Sequence, residues 1–318
     1  MNDEELNRTK DASLFTLILL HLTLHSKLMS TYYAPSELII NEDGSVFHLH
    51  VRPEQLASKV ILVGDPGRVA TVAAHFDLIE CDITSREFHT ITGMYQGKRI
   101  TVLSTGIGCD NIDIVVNELD ALANIDFESR TQKPEFRQLE MVRIGTCGGL
   151  QPDTPVGTYV CSHKSIGFDG LLNYYAGRNA VCDLPFEEAF THHMQWNPQK
   201  GAPYVIDNDA DLLTRINQGD MVDGVTISAG GFFGPQGRKL RIPLEDPDQN
   251  EKIMAFEYAG HRITNFEMEG SAIAGLSRLL GHKAMTVCMV IANRRAKEAN
   301  TGYKNSIDNL IEKVVERI

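Results

Sequence analysis

The chain has 318 residues, 42% hydrophobic and 23% charged, a balance that excludes disordered, collagen-like and coiled-coil proteins. Acidic residues outnumber Lys and Arg by 42 to 30, so the net charge is −12 and binding to nucleic acid or an anionic membrane is not expected. The six cysteines have no C-x-x-C spacing, which predicts reduced thiols in a cytoplasmic protein without a metal site or disulfide framework.

Residues 1–44 are predicted to be an N-terminal extension of a single domain over residues 45–318. The longest apolar run of the extension, Leu14 to Leu24, is interrupted by polar residues and is too short to span a bilayer. Met29 begins a more ordinary start for a globular chain, so the residues before it are expected to be dispensable.

From Lys59 onward, β-rich runs alternate with helical periodicity, as in a mainly parallel or mixed sheet covered by helices. Strands are predicted at Lys59–Val63, Ile83–Ile91, Arg99–Ser104, Glu140–Gly145, Gly157–Ser165, Gly224–Ala229 and Ala284–Ala292. Helices are predicted at Gly67–Phe76, Asp110–Leu122, Asn208–Gln218, Asn250–Tyr258, Glu267–Leu280 and Lys304–Arg317. Residues 125–139 are polar and predict a surface excursion. No linker divides the chain, so one α/β domain is expected.

Glycine-rich segments follow three of these strands, at Gly64–Arg68, Ser104–Gly108 and Arg143–Gly149. Glycine lets backbone N–H groups approach an anion, a helix start adds its dipole, and Arg68 can add a charged donor. The first segment also fits an ordinary strand–turn–helix corner, and Arg143 also fits a structural pair with a buried acid. Together, the three segments predict an anion pocket at the carboxyl ends of the strands.

Two acids stand two residues apart in the segment Asn265–Glu269, at a predicted helix start. Glu267 and Glu269 therefore cannot share one helical face, although both favour the positive end of the helix dipole. Capping of the helix is one interpretation of these carboxylates. Binding the hydroxyl pair of a sugar is the other.

The segment Phe232–Arg238 combines an aromatic ring, an amide and a guanidinium within one predicted loop. A planar heterocycle could stack on Phe232 while Gln236 and Arg238 hydrogen-bond to its edge. A surface loop with one buried phenylalanine is the alternative interpretation.

Eight segments together, in the same order, resemble the nucleoside phosphorylase family over roughly residues 45–318. They are Val46–Leu49, Gly64–Arg68, Arg86–Phe88, Ser104–Gly108, Arg143–Thr146, Phe232–Arg238, Phe266–Glu269 and Ile291–Arg294. The resemblance implies a three-layer α/β/α sandwich with a mixed central sheet. It also implies a pentosyltransferase that cleaves a ribonucleoside with phosphate to a free base and ribose 1-phosphate, with no metal or organic cofactor.

The resemblance also implies roles for individual residues. Phosphate would be bound by Gly64, Arg68, Arg143 and Thr146, with Arg86 supplied by the neighbouring subunit of a homo-oligomer. Ribose would be bound by Thr146, Met268 and Glu269, with His48 supplied by the neighbour near the 5′-hydroxyl. The base pocket would be formed by Phe232, Gln236, Arg238, Glu267, Ile291, Ala292 and Arg294. Catalysis would rest on Arg143, Gln236, Arg238 and Glu269.

The choice of base depends on two places in the sequence. Purine-cleaving relatives carry an aspartate near the end of the late strand, where Val290–Arg294 has no acid. Gln236 with Arg238 is the pyrimidine-type pair, which implies uridine as substrate and uracil as product. A purine or broad-specificity phosphorylase, a nucleosidase that uses water, and a non-catalytic nucleoside-binding protein are the alternatives.

Overall fold

A computed structural model of the protein describes residues 31–300, 302 and 304–318. The predicted apolar run Leu14–Leu24 and most of the predicted extension lie outside these residues. The chain folds into strands and helices that alternate from residue 59 onward, as the sequence predicts.

The strands in the described residues are β1 (Lys59–Val63), β2 (Leu78–Ser85), β3 (Phe88–Tyr95), β4 (Lys98–Ser104), β5 (Ile125–Asp126), β6 (Thr131–Gln132), β7 (Glu140–Gly149), β8 (Tyr159–Gly167), β9 (Tyr204–Asp207), β10 (Val222–Ser228), β11 (Glu257–Tyr258), β12 (His261–Glu267), β13 (Lys283–Asn293) and β14 (Glu298–Ala299). The α-helices are α1 (Pro66–Ala73), α2 (Cys109–Asn124), α3 (Arg178–Val181), α4 (Leu184–Met194), α5 (Ala210–Ile216), α6 (Gln249–Ala255), α7 (Gly270–Leu280) and α8 (Lys304–Arg317).

The large sheet is mixed, which confirms the prediction. Strand β1 runs parallel to β4 on one side and to β7 on the other, and β13 continues the parallel order beyond β7. Strand β8 is antiparallel to β13 but parallel to β10, and β10 is parallel to β12. Asn265 and Phe266 of β12 then pair antiparallel with β7, so five strands close on one another. This closure brings the ends of β7, β12 and β13 together.

Helices cover both faces of the sheet, which confirms the three-layer arrangement. Successive residues of a strand point to opposite faces, and β1 is buried on both. Val60 and Leu62 pack in the apolar cluster that includes α2 and α7, whereas Ile61 and Val63 pack in the cluster that includes α1, α5 and α8. A third cluster joins α4 and α6 to strands β8, β10 and β12.

Two predicted elements are wrong at places that matter for function. Residues 83–91 are not one strand, because the chain turns between β2 and β3 with Arg86 at the tip, at φ 54°. The predicted helix Glu267–Leu280 begins only at Gly270, because Glu267 ends strand β12 and Glu269 is the N-cap of α7. The residues on both sides of Arg86 have high β propensity, so the sequence gives no signal for the turn. The acids at 267 and 269 resemble the acidic first turn of a helix.

Other differences are smaller. The predicted helix Asn250–Tyr258 ends at Ala255, and Tyr258 belongs to β11 instead. Helix α4 and strands β9 and β12 are not predicted from the sequence. Each of these depends on pairing or packing with residues far along the chain, since β9 pairs with β8 and α4 packs against β9.

Residues 125–139 form the predicted surface excursion, a short hairpin of β5 and β6. The chain before residue 45 packs on this hairpin. Tyr33 donates its backbone N–H to the carbonyl of Arg130 at 2.8 Å, and Arg130 returns its Nε–H to the carbonyl of Tyr33 at 2.8 Å. The boundary at residue 45 stays a prediction.

Candidate active site

The three glycine-rich strand exits open into one cavity of about 1330 Å³ at the carboxyl ends of β1, β4 and β7. This confirms the predicted crevice, since parallel strands of one sheet end at the same edge. All the predicted site residues except His48 and Arg86 line the cavity. They are Gly64, Arg68, Arg143, Thr146, Phe232, Gln236, Arg238, Glu267, Met268, Glu269, Ile291, Ala292 and Arg294.

Arg143 lies at the buried end of the cavity with only 5% of its side chain exposed. Its Nη2 donates to the carboxylate of Glu269, and its Nη1 lies 3.1 Å from Oε2 of Glu267 and 3.4 Å from Sγ of Cys288. Gly145 makes room for this guanidinium, because a Cβ at that position would lie 2.2 Å from Nη1. Arg143 therefore makes the structural pair with buried acids, and it does so in the wall of the cavity.

Glu267 is held rigidly at the start of helix α7. Its Oε2 accepts the backbone N–H groups of Glu269 and Gly270, each at 2.9 Å, and its Oε1 accepts the hydroxyl of Ser228. The capping interpretation thus holds for Glu267. Because Glu267 is in a strand and Glu269 is the N-cap, neither side chain follows the helical spacing. Both carboxylates consequently reach Arg143, a convergence that their spacing in the sequence does not predict.

Two carboxylates share one guanidinium in this cluster, and this sets its protonation. Burial is the largest influence and raises the pKa of Glu269, Glu267 raises it further, and Arg143 and the N–H of Gly108 oppose the shift. Burial disfavours the charge of Arg143 as well, but the two carboxylates outweigh burial and raise its pKa. Arg143 thus stays cationic, and Glu269 takes up a proton at a higher pH than an ordinary glutamate.

The loop Gly64–Arg68 offers fewer backbone donors than expected. Asp65 is the N-cap of α1: its carboxylate accepts the N–H of Gly67 at 2.9 Å, and its carbonyl accepts the N–H of Arg68 at 3.0 Å. A carboxylate at the helix start opposes an anion there, so the helix dipole is expected to contribute less to an anion site than the sequence predicts. The guanidinium of Arg68 and the hydroxyl of Thr146 both line the cavity wall, where they are the predicted anion ligands.

The end of the cavity predicted to hold the base, here called the base end, is formed by Phe232, Gln236, Arg238 and Arg294. Its centre is the amide of Gln236, which is 3% exposed. Its Oε1 accepts from Nη1 of Arg238 at 2.6 Å and from Nη2 of Arg294 at 3.1 Å. Two donors fix this atom as the oxygen of the amide. In the described part of the chain, no carboxylate pairs with either arginine.

Phe232 is half exposed, and its ring stacks against the guanidinium of Arg238. The Arg238 guanidinium carbon lies 3.5 Å from the centroid of the Phe232 ring, so one face of the ring is already covered. Burial, and then the charge of Arg294, lower the pKa of Arg238 to about 10. Burial lowers the pKa of Arg294 as well. Arg238 is thus still charged at neutral pH, and an anion beside it would relieve the repulsion between the two cations.

His48 and Arg86 do not line the cavity of their own chain. Arg86 is at the exposed tip of the β2–β3 turn, with its guanidinium carbon 5.4 Å from the centroid of the Phe47 ring. Nδ1 of His48 lies 2.6 Å from Oε1 of Glu118 on α2. The two residues expected to act on a neighbouring subunit are therefore separate from the other predicted ligands.

The family model described as the phosphorylase superfamily matches residues 58–318. The chain belongs to this superfamily. The match confirms the resemblance that the eight segments predict, and it covers every residue that lines the cavity. Among the described residues, no helix is both long and apolar enough to cross a membrane.

Known members of the phosphorylase superfamily resemble the chain over most of its length. The uridine phosphorylase of Thermococcus kodakarensis is 28% identical over 265 residues, which cover 81% of this chain and 80% of that protein. The DeoD-type purine nucleoside phosphorylase of Bacillus velezensis is 25% identical over 244 residues, 76% of this chain and 85% of that protein. The crystal structure of a Trypanosoma brucei nucleoside phosphorylase that shows uridine phosphorylase activity superposes with a TM-score of 0.80 at 28% identity, over 88% of this chain and 98% of that one.

Several residues that line the cavity were not predicted as site residues from the sequence. Glu87, Asn111, Lys297, Glu298 and Asn300 all line the cavity. Glu87 follows Arg86 within a segment that the sequence analysis singled out, so it could have been found. Glu298 could not, because only the antiparallel pairing of β14 with β13 brings it opposite Asn293.

Proposed function

We propose that the protein is a uridine phosphorylase, which converts uridine and phosphate reversibly to uracil and ribose 1-phosphate. The observation that carries the proposal is the base end of the cavity. Gln236 is fixed there by two guanidinium groups that have no carboxylate partner among the described residues. With Oε1 occupied, the Nε2 hydrogens of the amide can donate to a uracil carbonyl. The uncompensated positive charge suits a base that leaves as an anion.

The proposed reaction transfers a pentosyl group between two anions. The C1′–N1 bond breaks, and its electron pair passes to the uracil ring, where Arg238 and Arg294 stabilise the charge. Positive charge develops on the ribose, as in other reactions with an oxocarbenium-like transition state. A phosphate oxygen then bonds to C1′, and uracil takes a proton from solvent. Interactions that strengthen as charge develops lower the barrier, and no cofactor is required.

The buried end of the cavity is assigned to phosphate and ribose. Arg68, Arg143 and Thr146 bind phosphate, with the backbone of Gly64 beside them and Arg86 supplied by the neighbouring subunit. Met268 and Glu269 face the ribose. The glycosidic bond would then lie between this end and the loop that carries Gln236, so that the phosphate attacks from the face opposite the leaving base.

We propose that the active unit is a homo-oligomer, because Arg86 and His48 do not line the cavity of their own chain. The test mixes two inactive variants, Arg86→Ala and Glu269→Ala. After subunit exchange in a dimer, about half of the assemblies are heterodimers with one intact site, so activity should return to about a quarter of the wild-type value. No recovery despite demonstrated exchange would contradict sharing of the sites.

A purine nucleoside is the second candidate substrate, because of Glu298. This carboxylate lines the cavity opposite Asn293, close to where a purine would need an acid. Glu298→Gln distinguishes the two functions. It should leave uridine cleavage unchanged, but it should abolish purine cleavage if Glu298 protonates a purine.

The deciding experiment measures release of base from uridine, thymidine, inosine and adenosine, each with and without phosphate. Rapid uridine cleavage that requires phosphate, together with formation of ribose 1-phosphate, is the expected result. Cleavage without phosphate would indicate a nucleosidase, and preference for inosine or adenosine would indicate a purine enzyme. Binding without turnover would indicate a nucleoside-binding protein.

The free cysteines fit the proposed cytoplasmic location.

A further inference from the structure

The carboxylate of Glu118, on helix α2, makes several hydrogen bonds to the loop that carries His48. Oε1 of Glu118 accepts the backbone N–H of His48 at 3.0 Å, and Oε2 accepts the N–H of Leu49 at 2.9 Å. Oε1 also lies 2.6 Å from Nδ1 of the His48 ring. The side chain of Glu118 is only 12% exposed, whereas that of His48 is 32% exposed. The acid is thus buried behind the histidine, which faces outward.

This contact fixes which nitrogen of the ring is available. A carboxylate can only accept hydrogen bonds, so the Nδ1 of His48 must carry the proton in the bond to Glu118. In a neutral ring Nε2 is then the acceptor. An acceptor on the exposed edge of His48 is suited to a hydroxyl group that donates its proton.

His48 is also part of a larger group that the chain presents outside its own cavity. The ring of Phe47 meets the ring of His48 edge-on, with 4.9 Å between centroids. The Arg86 guanidinium lies on the same Phe47 ring, 5.4 Å from its centroid. The two residues assigned to the neighbouring site therefore both contact Phe47, and Glu118 holds His48 of this group through hydrogen bonds.

We propose that Glu118 is a positioning residue for the reaction: it sets the tautomer and direction of His48, so that Nε2 accepts the 5′-hydroxyl of the nucleoside bound by the neighbouring subunit. The inference rests on the proposed function. It gives Glu118 a role that the sequence analysis did not assign, and it predicts an effect that depends on one hydroxyl of the substrate.

The test uses Glu118→Gln, His48→Ala and the double variant, each assayed with uridine and with 5′-deoxyuridine. The amide introduced by Glu118→Gln retains an oxygen for the backbone N–H groups, but its NH₂ can donate to Nδ1 and so reverse the tautomer. Loss of a group that orients a functional histidine typically costs 10- to 100-fold in other sites, so we expect about a tenfold lower kcat/KM for uridine, mainly through KM. With 5′-deoxyuridine the loss should be less than about twofold, and the double variant should match His48→Ala.

A matched control lies on the same helix. Asp120 contacts Nε2 of His282 at 3.0 Å, another acid–histidine pair, but neither residue lines the cavity. Asp120→Asn should therefore leave both activities unchanged. The proposal is overturned if Glu118→Gln lowers both substrates equally, if its effect adds to that of His48→Ala, or if His48→Ala leaves uridine kinetics unchanged. Failure of the wild type to cleave either substrate with phosphate would instead overturn the proposed function.

Discussion

The two ends of the cavity are built in different ways. The phosphate and ribose end consists of residues at strand termini, and its polar groups are bonded to one another: Arg143 pairs with two acids, and Glu267 accepts three further hydrogen bonds. The base end is a loop with one short turn, in which half-exposed Phe232 and Arg238 pack on each other. The buried end is therefore tied into the fold by its own ion pairs and hydrogen bonds, whereas the loop end is the part that we propose recognises the base.

The charges at the two ends are the reverse of what the assigned substrates suggest. Two acids lie at the end assigned to the anionic phosphate, and two arginines lie at the end assigned to the neutral base. Arg143, assigned to an anionic substrate, already has two carboxylates, so the cluster of three groups carries a net negative charge when all are ionised. Arg238 and Arg294, assigned to a neutral base, have no carboxylate among the described residues. We therefore propose that the phosphate assigned to this end is attracted by cations in addition to Arg143, among them Arg86 of the neighbouring subunit. The charge at the other end is proposed to stabilise the base as it departs.

The largest combined effect on stability and activity is expected from Arg143, because it supports both the fold and the proposed reaction. Arg143→Ala leaves two buried carboxylates without a cation, which should cost about 3–5 kcal/mol of stability. Arg143→Lys keeps the charge but loses the forked donor, so it should raise the phosphate KM and lower kcat by about 100-fold. Thermal unfolding and phosphate kinetics measure the two effects. Unchanged phosphate kinetics in folded Arg143→Ala would return Arg143 to a purely structural role.

Substitutions at the base end should separate function from stability. Arg238→Ala should lower kcat for uridine by about 100- to 1,000-fold, because it removes a cation placed where charge develops. Gln236→Ala should lose less, since Arg238 and Arg294 remain. The unfolding free energy of Arg238→Ala should change by less than about 0.5 kcal/mol, as is usual for a loop residue.

Arg241 offers a control for the base-end variants. It is exposed three residues after Arg238 and does not line the cavity, so Arg241→Ala should keep full activity. Equal losses in Arg241→Ala and Arg238→Ala would indicate a general effect of charge. That result would remove the proposed distinction between the two ends.

A smaller effect, with an unusual sign, is expected for the phosphate affinity of Glu269→Gln. The substitution should abolish most turnover, yet the free enzyme should bind phosphate several-fold more tightly, because one negative charge beside Arg143 is removed. Titration of phosphate against wild type and variant, followed by calorimetry, measures this difference. Weaker phosphate binding in the variant would mean that Glu269 aligns Arg143 for phosphate and does not compete with it.

The pH dependence provides a second check on Glu269. Its pKa is raised, mainly by burial, so the folded protein takes up this proton at a higher pH than an ordinary glutamate would. As the pH falls through that range, wild type becomes neutral at this position, as the Gln variant always is. The difference in phosphate affinity should therefore shrink as the pH is lowered. The protonation of phosphate itself is common to both proteins and cancels.

The same contrast explains what the sequence could predict. The glycines and arginines at residues 64–68 and 143–149 lie at or directly after the ends of predicted strands, so their meeting in one crevice could be predicted from the rule that parallel strands end at the same edge of a sheet. The pairing of Arg143 with both Glu267 and Glu269 depends on the closure of β12 onto β7, which no local pattern reveals. Glu118 reaches His48 across 70 residues of sequence, so it could not be found either.

The smallest effect is expected from the N-terminal residues, which belong to neither end of the cavity. A chain that starts at Met29 should keep full uridine cleavage and assembly, because it retains the hydrogen bonds between Tyr33 and Arg130. A chain that starts at Ser45 loses these bonds and the contact of Arg130 with the carbonyl of Leu38, so its melting temperature should be lower while its KM for uridine is unchanged. Size-exclusion chromatography, thermal unfolding and uridine kinetics distinguish the two. Loss of turnover in the Met29 chain would show that residues 1–28 take part in forming the active site or the assembly.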